Sequence, residues 1–301
     1  MKLSVSAWSV HQNLFSQKMT VRNFIDFCLE NKVDAVELLD CFWEDEKHPS
    51  EIKKYLNEIG MPVSAYSIAN DFVNEEEVRA AEIEKVKKGI DMAVYLNTPL
   101  LRVFSGDIKE GISFEQGKAW IIDCFKECAK YAEAKGVTMV LENHGRFAGK
   151  SSQVKEIIAE VGSNALKANT DTGNFLLVGE NPLEAVMNLK DNIGFVHFKD
   201  FKKSEGENGY MADDGTWFEG TAIGDGDVPL KDIISFLHSV GYSGYLSIEF
   251  EGGGDPIEGT LKSINQTTNQ GDATRGTFCL AGLRNNLQKN YYSWNREKSL
   301  V

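Results

Sequence analysis

Short apolar or β-branched runs alternate with longer stretches of helical period from the start of the chain to about residue 262. Eight of these runs predict strands, at residues 3–8, 34–40, 62–69, 99–106, 138–145, 166–173, 193–200 and 244–252. The clearest helices are predicted at residues 21–31, 75–96, 114–135 and 230–240. Eight βα units in order predict a parallel sheet, which right-handed crossovers close into a (β/α)8 barrel, the TIM barrel of the α/β class. A doubly wound open sheet is the alternative, but no GxGxxG follows the first strand.

Two segments break this rhythm. Residues 202–228 are a long Gly- and Asp-rich connection after the seventh strand, on the face where barrel active sites lie. They are either a lid that closes Trp217 and Phe218 over a substrate or a variable surface loop. After residue 262 an Asn/Gln/Thr-rich run leads into a basic, aromatic segment. We therefore divide the chain into a barrel domain, residues 1–262, and a C-terminal extension, residues 263–301, whose structure the pattern does not define.

Composition narrows the class of partner. The chain has 32 lysine and arginine residues and 45 aspartate and glutamate residues, which gives a net charge of -13. This charge repels nucleic-acid backbones and anionic membranes and favours small neutral or metal-chelated substrates. The five cysteines include no CxxC pair, and the N-terminus lacks the apolar core of a signal peptide. No run approaches the ~18 apolar residues of a membrane span. We expect a cytoplasmic protein, with homo-oligomer formation left open.

Acidic residues and a histidine lie at the ends of strands five to eight. They are Glu142, Asp171, His197 and Glu249. Strands of a parallel barrel are buried on both faces, and residue alternation places these side chains in the lumen. Three carboxylates and an imidazole would repel one another there, and one divalent cation compensates them. This donor set favours Mn²⁺, with Mg²⁺, Co²⁺ and Zn²⁺ as alternatives, whereas structural ion pairing is the competing interpretation.

The motifs LENHG, NTDTGN, HFKD and SIEFEG, in this order, resemble those of the xylose isomerase-like barrels, the sugar (phosphate) isomerase and epimerase family that also contains endonuclease IV. The resemblance covers roughly residues 1–262. It implies that Glu142, Asp171, His197 and Glu249 are the metal ligands. It also implies that the two glutamates flank the substrate carbon and move protons as the catalytic pair.

The chain departs from two branches of that family. Ketose 3-epimerases carry a histidine three residues after the aspartate ligand, where this chain has Asn174, and a further acidic residue where it has Ala148. The endonuclease branch needs three metal ions and many more histidines than the five in this chain (His 5). These departures argue against a free-ketohexose epimerase and against DNA repair.

Other polar residues at strand ends are candidates for substrate contact. They are Glu37, Arg102, His144 and Lys199. Each has a structural alternative: Glu37 and Arg102 could pair with each other across the barrel, and Lys199 could pair with Asp200 at the surface. His144 could instead orient the first glutamate ligand.

Two aromatic residues, Trp8 and Tyr66, end strands one and three. They are candidates for an apolar wall against one face of a sugar, with ordinary core packing as the alternative.

The chemistry predicted from these residues is proton transfer beside the carbonyl group of a polyol, through a metal-bound enediolate. A sugar isomerase or epimerase is the main hypothesis for the function. A lyase or dehydratase that acts on a 3-keto sugar, an inosose or an oxidised glycoside with the same site is the second. A non-catalytic sugar-binding barrel is the third. The absence of a Gly-rich phosphate cradle favours a substrate without phosphate.

Overall fold

The computed structural model describes residues 1–45 and 47–274 of the chain. Eight parallel strands form a closed barrel, as the alternating pattern predicts. In barrel order they are β1 (Lys2–Ser6), β2 (Ala35–Leu39), β3 (Val63–Ser67), β4 (Leu100–Val103), β5 (Thr138–Glu142), β6 (Leu166–Asp171), β7 (Ile193–Phe198) and β11 (Tyr245–Ile248), which pairs again with β1. The strands β8 to β10 lie outside the barrel and are described below.

Helices surround the barrel and cover the apolar outer faces of its strands. They are α1 (His11–Phe15), α2 (Val21–Glu30), α3 (His48–Ile59), α4 (Glu76–Tyr95), α5 (Phe114–Lys135), α6 (Ser151–Val161), α7 (Asn174–Leu177), α8 (Pro182–Asn188), α9 (Leu230–Ser239) and α10 (Pro256–Thr274). Within the described part of the chain, no helix combines the length and the apolar character that a membrane span requires.

Local sequence explains where the long helices begin and end. The Ser113 hydroxyl accepts a hydrogen bond from the Gln116 N–H at the start of α5, and Gly136 ends that helix with a φ of 69°. The buried face of α5 includes Cys124 and Cys128, one turn apart, so these thiols belong to the core between helix and barrel.

The predicted strands extend too far at their C-terminal ends. Pairing in β4 stops at Val103 and pairing in β11 stops at Ile248, although the apolar pattern continues for several residues. The chain leaves the sheet at these points and turns outward into the loops. Glu249, Lys199 and His144 therefore lie just beyond their strands, at the C-terminal end of the barrel.

The segment 202–228 is not an irregular connection. β8 (Asp200–Lys203), β9 (Tyr210–Met211) and β10 (Trp217–Thr221) form a separate three-stranded antiparallel sheet. Trp217 and Phe218 lie in β10 and are half-buried. The prediction missed this sheet because its strands are very short and rich in Gly and charged residues, which ordinarily indicate a loop.

The last described helix crosses the predicted domain boundary at residue 262. α10 runs on to Thr274, and Ser263 and Ile264 within it are buried against the barrel. The remainder of the predicted extension, residues 275–301, with its aromatic residues, lies outside the described residues.

Candidate metal centre

Four side chains from neighbouring strands converge at the C-terminal end of the barrel. Glu142 and Asp171 are the last residues of β5 and β6, His197 lies in β7, and Glu249 follows β11 directly. One ligand atom from each lies within 4.8 Å of the others. The Nδ1 atom of His197 is 3.4 Å from Glu142 Oε2, 3.5 Å from Glu249 Oε2 and 3.9 Å from Asp171 Oδ2. The structure thus brings together the four residues that the sequence selects as metal ligands.

The donor atoms fit a divalent cation. His197 Nδ1 and Asp171 Oδ2 are buried, and neither makes a hydrogen bond of normal geometry to the described residues, although the Lys199 ammonium lies 3.2 Å from Asp171 Oδ2 as an ion-pair partner. Buried polar atoms are ordinarily paired, because leaving one unpaired costs about 1–3 kcal/mol. Three carboxylates and one imidazole nitrogen around a gap of this size match the oxygen-rich donor sets of Mn²⁺ and Mg²⁺ and are also compatible with Zn²⁺.

Glu37 binds the opposite edge of the His197 ring. Its two carboxylate oxygens lie 3.0 and 3.1 Å from His197 Nε2, and the hydroxyls of Ser67 and Ser247 donate to them at 2.6 and 2.7 Å. This arrangement holds a proton on Nε2 and turns Nδ1 toward the other carboxylates. The alternative of an ion pair between Glu37 and Arg102 is wrong, because Glu37 is fully buried under the imidazole while Arg102 lies against Glu142.

The Glu142 carboxylate is held from three sides. Arg102 Nε lies 3.4 Å from Oε2, Asn169 Nδ2 donates to Oε2 at 3.3 Å, and Asn174 Nδ2 donates to Oε1 at 3.3 Å. Asn174 also donates to the Asn143 carbonyl at 3.1 Å. The residue at the position where ketose 3-epimerases have histidine is therefore a fixed amide that orients the first glutamate.

Lys199 is buried among carboxylates rather than paired at the surface. Its Nζ lies 2.7 Å from Glu249 Oε2, 3.2 Å from Asp171 Oδ2 and 3.2 Å from Glu251 Oε2. The alternative of a surface pair with Asp200 is wrong, because Asp200 accepts the backbone N–H groups that follow β10, from Gly224, Gly226 and Val228. Burial opposes the charge of Lys199, but Asp171 and Glu249 outweigh it and raise its pKa well above the ordinary value.

Glu251 is a site residue that sequence reasoning missed. Its carboxylate contacts Lys199 on one side and accepts a hydrogen bond of 2.6 Å from Trp8 Nε1 on the other. The only sequence signal for Glu251 is the alternation of residues along a strand. If this alternation continues past Glu249, Glu251 is the next residue on the same face.

The remaining predicted contacts lie around this centre. Trp8 stacks on His11 with ring centroids 4.4 Å apart, and the Tyr66 hydroxyl accepts a hydrogen bond of 2.7 Å from Trp43 Nε1. His144 is exposed at the rim, with its ring centroid 4.9 Å from that of Phe104. His144 therefore does not orient Glu142. The amides of Asn169 and Asn174 and the guanidinium of Arg102 contact the Glu142 carboxylate instead.

The ionisation of the four residues reflects their crowding. Burial raises the pKa of Asp171 to about 7, although Lys199 opposes this shift. Burial also raises the pKa of Glu142, whereas for Glu249 the cations His197 and Lys199 outweigh burial and hold its pKa well below the ordinary value. Carboxylates outweigh burial at His197 and raise the pKa of its imidazole. Lys199 and His197 thus offset part of the negative charge of the three carboxylates.

Comparison with known proteins identifies the family. Residues 25–269 match the family described as xylose isomerase-like TIM barrel, and the chain belongs to this family. The chain is similar to the uncharacterized protein MJ1311 of Methanocaldococcus jannaschii, with 28% identity over 235 residues, 73% of this chain and 75% of that protein.

Two further similarities are informative. The inosose dehydratase of Clostridium perfringens is 24% identical over 212 residues, 66% of this chain and 68% of the enzyme. The crystal structure of the IolI protein with a bound zinc atom superposes with a TM-score of 0.75 and 18% sequence identity, covering 92% of this chain and all (100%) of that one. At 18% sequence identity, the similarity to the IolI structure shows a shared fold alone.

Proposed function

We propose that the protein is a divalent-metal-dependent sugar isomerase or epimerase that moves a proton at the carbon beside the carbonyl group of a polyol. The observation that carries the proposal is the pair of glutamates at the centre. Glu142 and Glu249 come from β5 and from the end of β11, and their carboxylates approach His197 Nδ1 to 3.4 and 3.5 Å from these different strands. In this proposal the substrate carbon lies between them, with one carboxylate on each side.

A divalent cation held by Glu142, Asp171, His197 and Glu249 would stabilise the negative charge that develops on the carbonyl oxygen when the C–H proton leaves. Mn²⁺ is the ion we expect, on the oxygen-rich donor set. The residues around these four keep the arrangement rigid, because a site misplaced by about 1 Å loses much of its rate.

Side chains of the protein would carry out the proton transfers. Either glutamate can take the C–H proton, and the other can return a proton from the opposite face, which inverts one carbon. Return of the proton by the first glutamate to the neighbouring carbon, with transfer of the hydroxyl proton to the former carbonyl oxygen, gives aldose–ketose isomerisation. We expect the ammonium of Lys199, which lies 2.7 Å from Glu249, to contact a substrate oxygen next to that carboxylate.

Elimination of water is the second candidate function. The similarity to proteins named inosose dehydratase favours it, as does Asn174 in the place of the epimerase histidine. Both reactions begin with the same loss of a proton from the α-carbon, so the difference lies in whether a hydroxyl group on the β-carbon, the second carbon from the carbonyl carbon, then leaves as water.

Deuterium incorporation tests the proposal and separates the two candidates. Metal-loaded protein is incubated in D₂O with ketoses, inososes and 3-keto glycosides, and products are read by NMR and mass spectrometry. An isomerase or epimerase places deuterium in a product of unchanged composition, whereas a dehydratase yields a product lighter by one water. Stoichiometric metal with no exchange on any substrate would contradict an enzymatic role and favour a sugar-binding barrel.

The control is Glu142→Gln. It keeps the shape of the side chain and an oxygen for the cation but cannot accept a proton. We expect it to bind metal and to lose exchange by ~10²-fold or more. Intact exchange in this variant would remove Glu142 from proton transfer.

A further inference from the structure

A cavity of about 240 Å³ opens on the rim of the barrel beside the metal centre. We name it the rim cavity. Side chains that follow β3, β4 and β5 line it, among them Asn70, Asp71, Phe104, Ser105, Asp107 and His144. None of the four metal-centre residues is part of this lining, so the rim cavity is a separate space from the gap between them.

The wall of the rim cavity is rigidly joined to the metal centre. Asn70 donates to the Phe104 carbonyl at 2.7 Å and accepts the Phe104 N–H at 2.9 Å, which fixes the chain after β4. The Phe104 ring lies 4.1 Å from the guanidinium carbon of Arg102, and Arg102 in turn lies 3.4 Å from Glu142. Arg102 and Phe104 therefore lie between the rim cavity and Glu142, and the cavity adjoins the metal centre across these two side chains.

The charge of the lining disfavours an anion. Asp71 and Asp107 contribute two carboxylates to the cavity, and the nearby ammonium of Lys109 is already bound to Asp71 Oδ2 at 2.7 Å. A phosphate group here would face these carboxylates in a protein whose net charge is -13. Carboxylates, the Ser105 hydroxyl and the His144 imidazole instead suit hydroxyl groups, and the Phe104 ring suits the C–H face of a sugar.

Resting on the proposed function, we propose that the rim cavity binds the end of the substrate remote from the reacting carbonyl group, and that this end is an uncharged polyhydroxylated group and not a phosphate. The volume agrees with this assignment. Drug-sized ligands occupy cavities of about 300–1,000 Å³, so a space of about 240 Å³ suits one sugar-sized group.

The test compares uncharged and phosphorylated members of each substrate pair, such as D-xylulose and D-xylulose 5-phosphate, in the D₂O exchange assay with metal-loaded full-length protein. We expect the uncharged member to exchange at least tenfold faster at equal, subsaturating concentration. Equal or faster exchange of the phosphorylated member would overturn the inference and leave the proposed function intact. Absence of exchange with every pair would instead overturn the proposed function, on which the inference rests.

Charge reversal at the rim provides the matched test. Asp107→Lys should raise the exchange of the phosphorylated member relative to that of the uncharged member about tenfold. Glu110→Lys makes the same charge change in the same exposed loop, at a residue that is not part of the lining, and should leave the ratio unchanged. An equal effect of both variants would mean that only the overall field of the protein discriminates.

A third variant fills the space. Ala69 is exposed and lines the cavity, so Ala69→Leu narrows it without altering a residue of the metal centre. We expect a several-fold higher KM for the uncharged substrate, with kcat and Mn²⁺ affinity unchanged. An unchanged KM would contradict occupation of the cavity by substrate.

Discussion

Replacement of Glu37 by glutamine tests how the metal centre is organised. The carboxylate of Glu37 accepts hydrogen bonds from Ser67 at 2.6 Å, from Ser247 at 2.7 Å and from His197 Nε2 at 3.0 and 3.1 Å. A glutamine has one acceptor oxygen and one NH₂ group. Whichever way the amide is turned, the NH₂ group faces one serine hydroxyl and lies close to the imidazole N–H, so two donors meet.

The size of the effect follows from these contacts. A hydrogen bond to a charged group contributes about 1.5–3 kcal/mol, and loss of the group that orients a metal-binding histidine typically costs 10–100-fold in metal affinity. Since each factor of ten corresponds to about 1.4 kcal/mol, the two ranges agree. We expect Glu37→Gln to weaken Mn²⁺ binding by ~10–100-fold.

The assay is titration of the chelator-treated protein with Mn²⁺ in competition with a calibrated chelator, with circular dichroism to verify folding. Ser247→Ala removes a single hydrogen bond to Glu37 and should weaken binding only a few-fold. Ser4→Ala removes another buried hydrogen bond in the lumen, to Ser64 at 2.6 Å, and should leave Mn²⁺ affinity unchanged. If Glu37→Gln keeps full metal affinity and raises KM instead, Glu37 contacts substrate, as the strand-end pattern predicts, and does not orient His197.

Three further predictions concern residues around the centre. Lys199→Met removes the cation 2.7 Å from Glu249, so Mn²⁺ should raise the Tm of this variant by more than that of the wild type, and an equal or smaller rise would contradict the role of Lys199 as counter-charge. Burial raises the pKa of Asp200 from 3.8 to about 6, so the folded protein binds this proton more tightly than the unfolded chain. The stability contributed by that proton is lost as pH rises between about 4 and 6, and Asp200→Asn should flatten the decline measured by urea unfolding. Trp217→Ala should lower turnover far more than Mn²⁺ affinity if β8 to β10 act as a lid, and unchanged turnover would make this sheet a simple connection.

The sequence predicts the barrel well because its signal is local and repeated. Each strand is a short apolar run and each helix an amphipathic one, and polar residues stand at or next to the ends of β5, β6 and β7. The same regularity explains why Glu142, Asp171, His197 and Glu249 could be selected together. Parallel strands in a closed barrel must end at the same rim.

Contacts that depend on distant parts of the chain were not predictable in this way. Glu37 and His197 are 160 residues apart, and only closure of β1 and β2 against β11 and β7 brings them together. The strand pattern places several polar groups at the same end of the barrel. It therefore does not decide whether Arg102 pairs with Glu37 or with Glu142. The antiparallel sheet after β7 was missed for a different reason, since cross-strand pairing holds it together and the residues themselves favour turns.

The central claim is that Glu142, Asp171, His197 and Glu249 bind one divalent cation. Elemental analysis of protein purified without chelator tests it most directly, with Asp171→Ala purified in parallel and both shown to be folded. We expect about one divalent ion per chain in the wild type and little in the variant. Wild-type protein free of metal at micromolar Mn²⁺, or equal metal content in the two proteins, would contradict it.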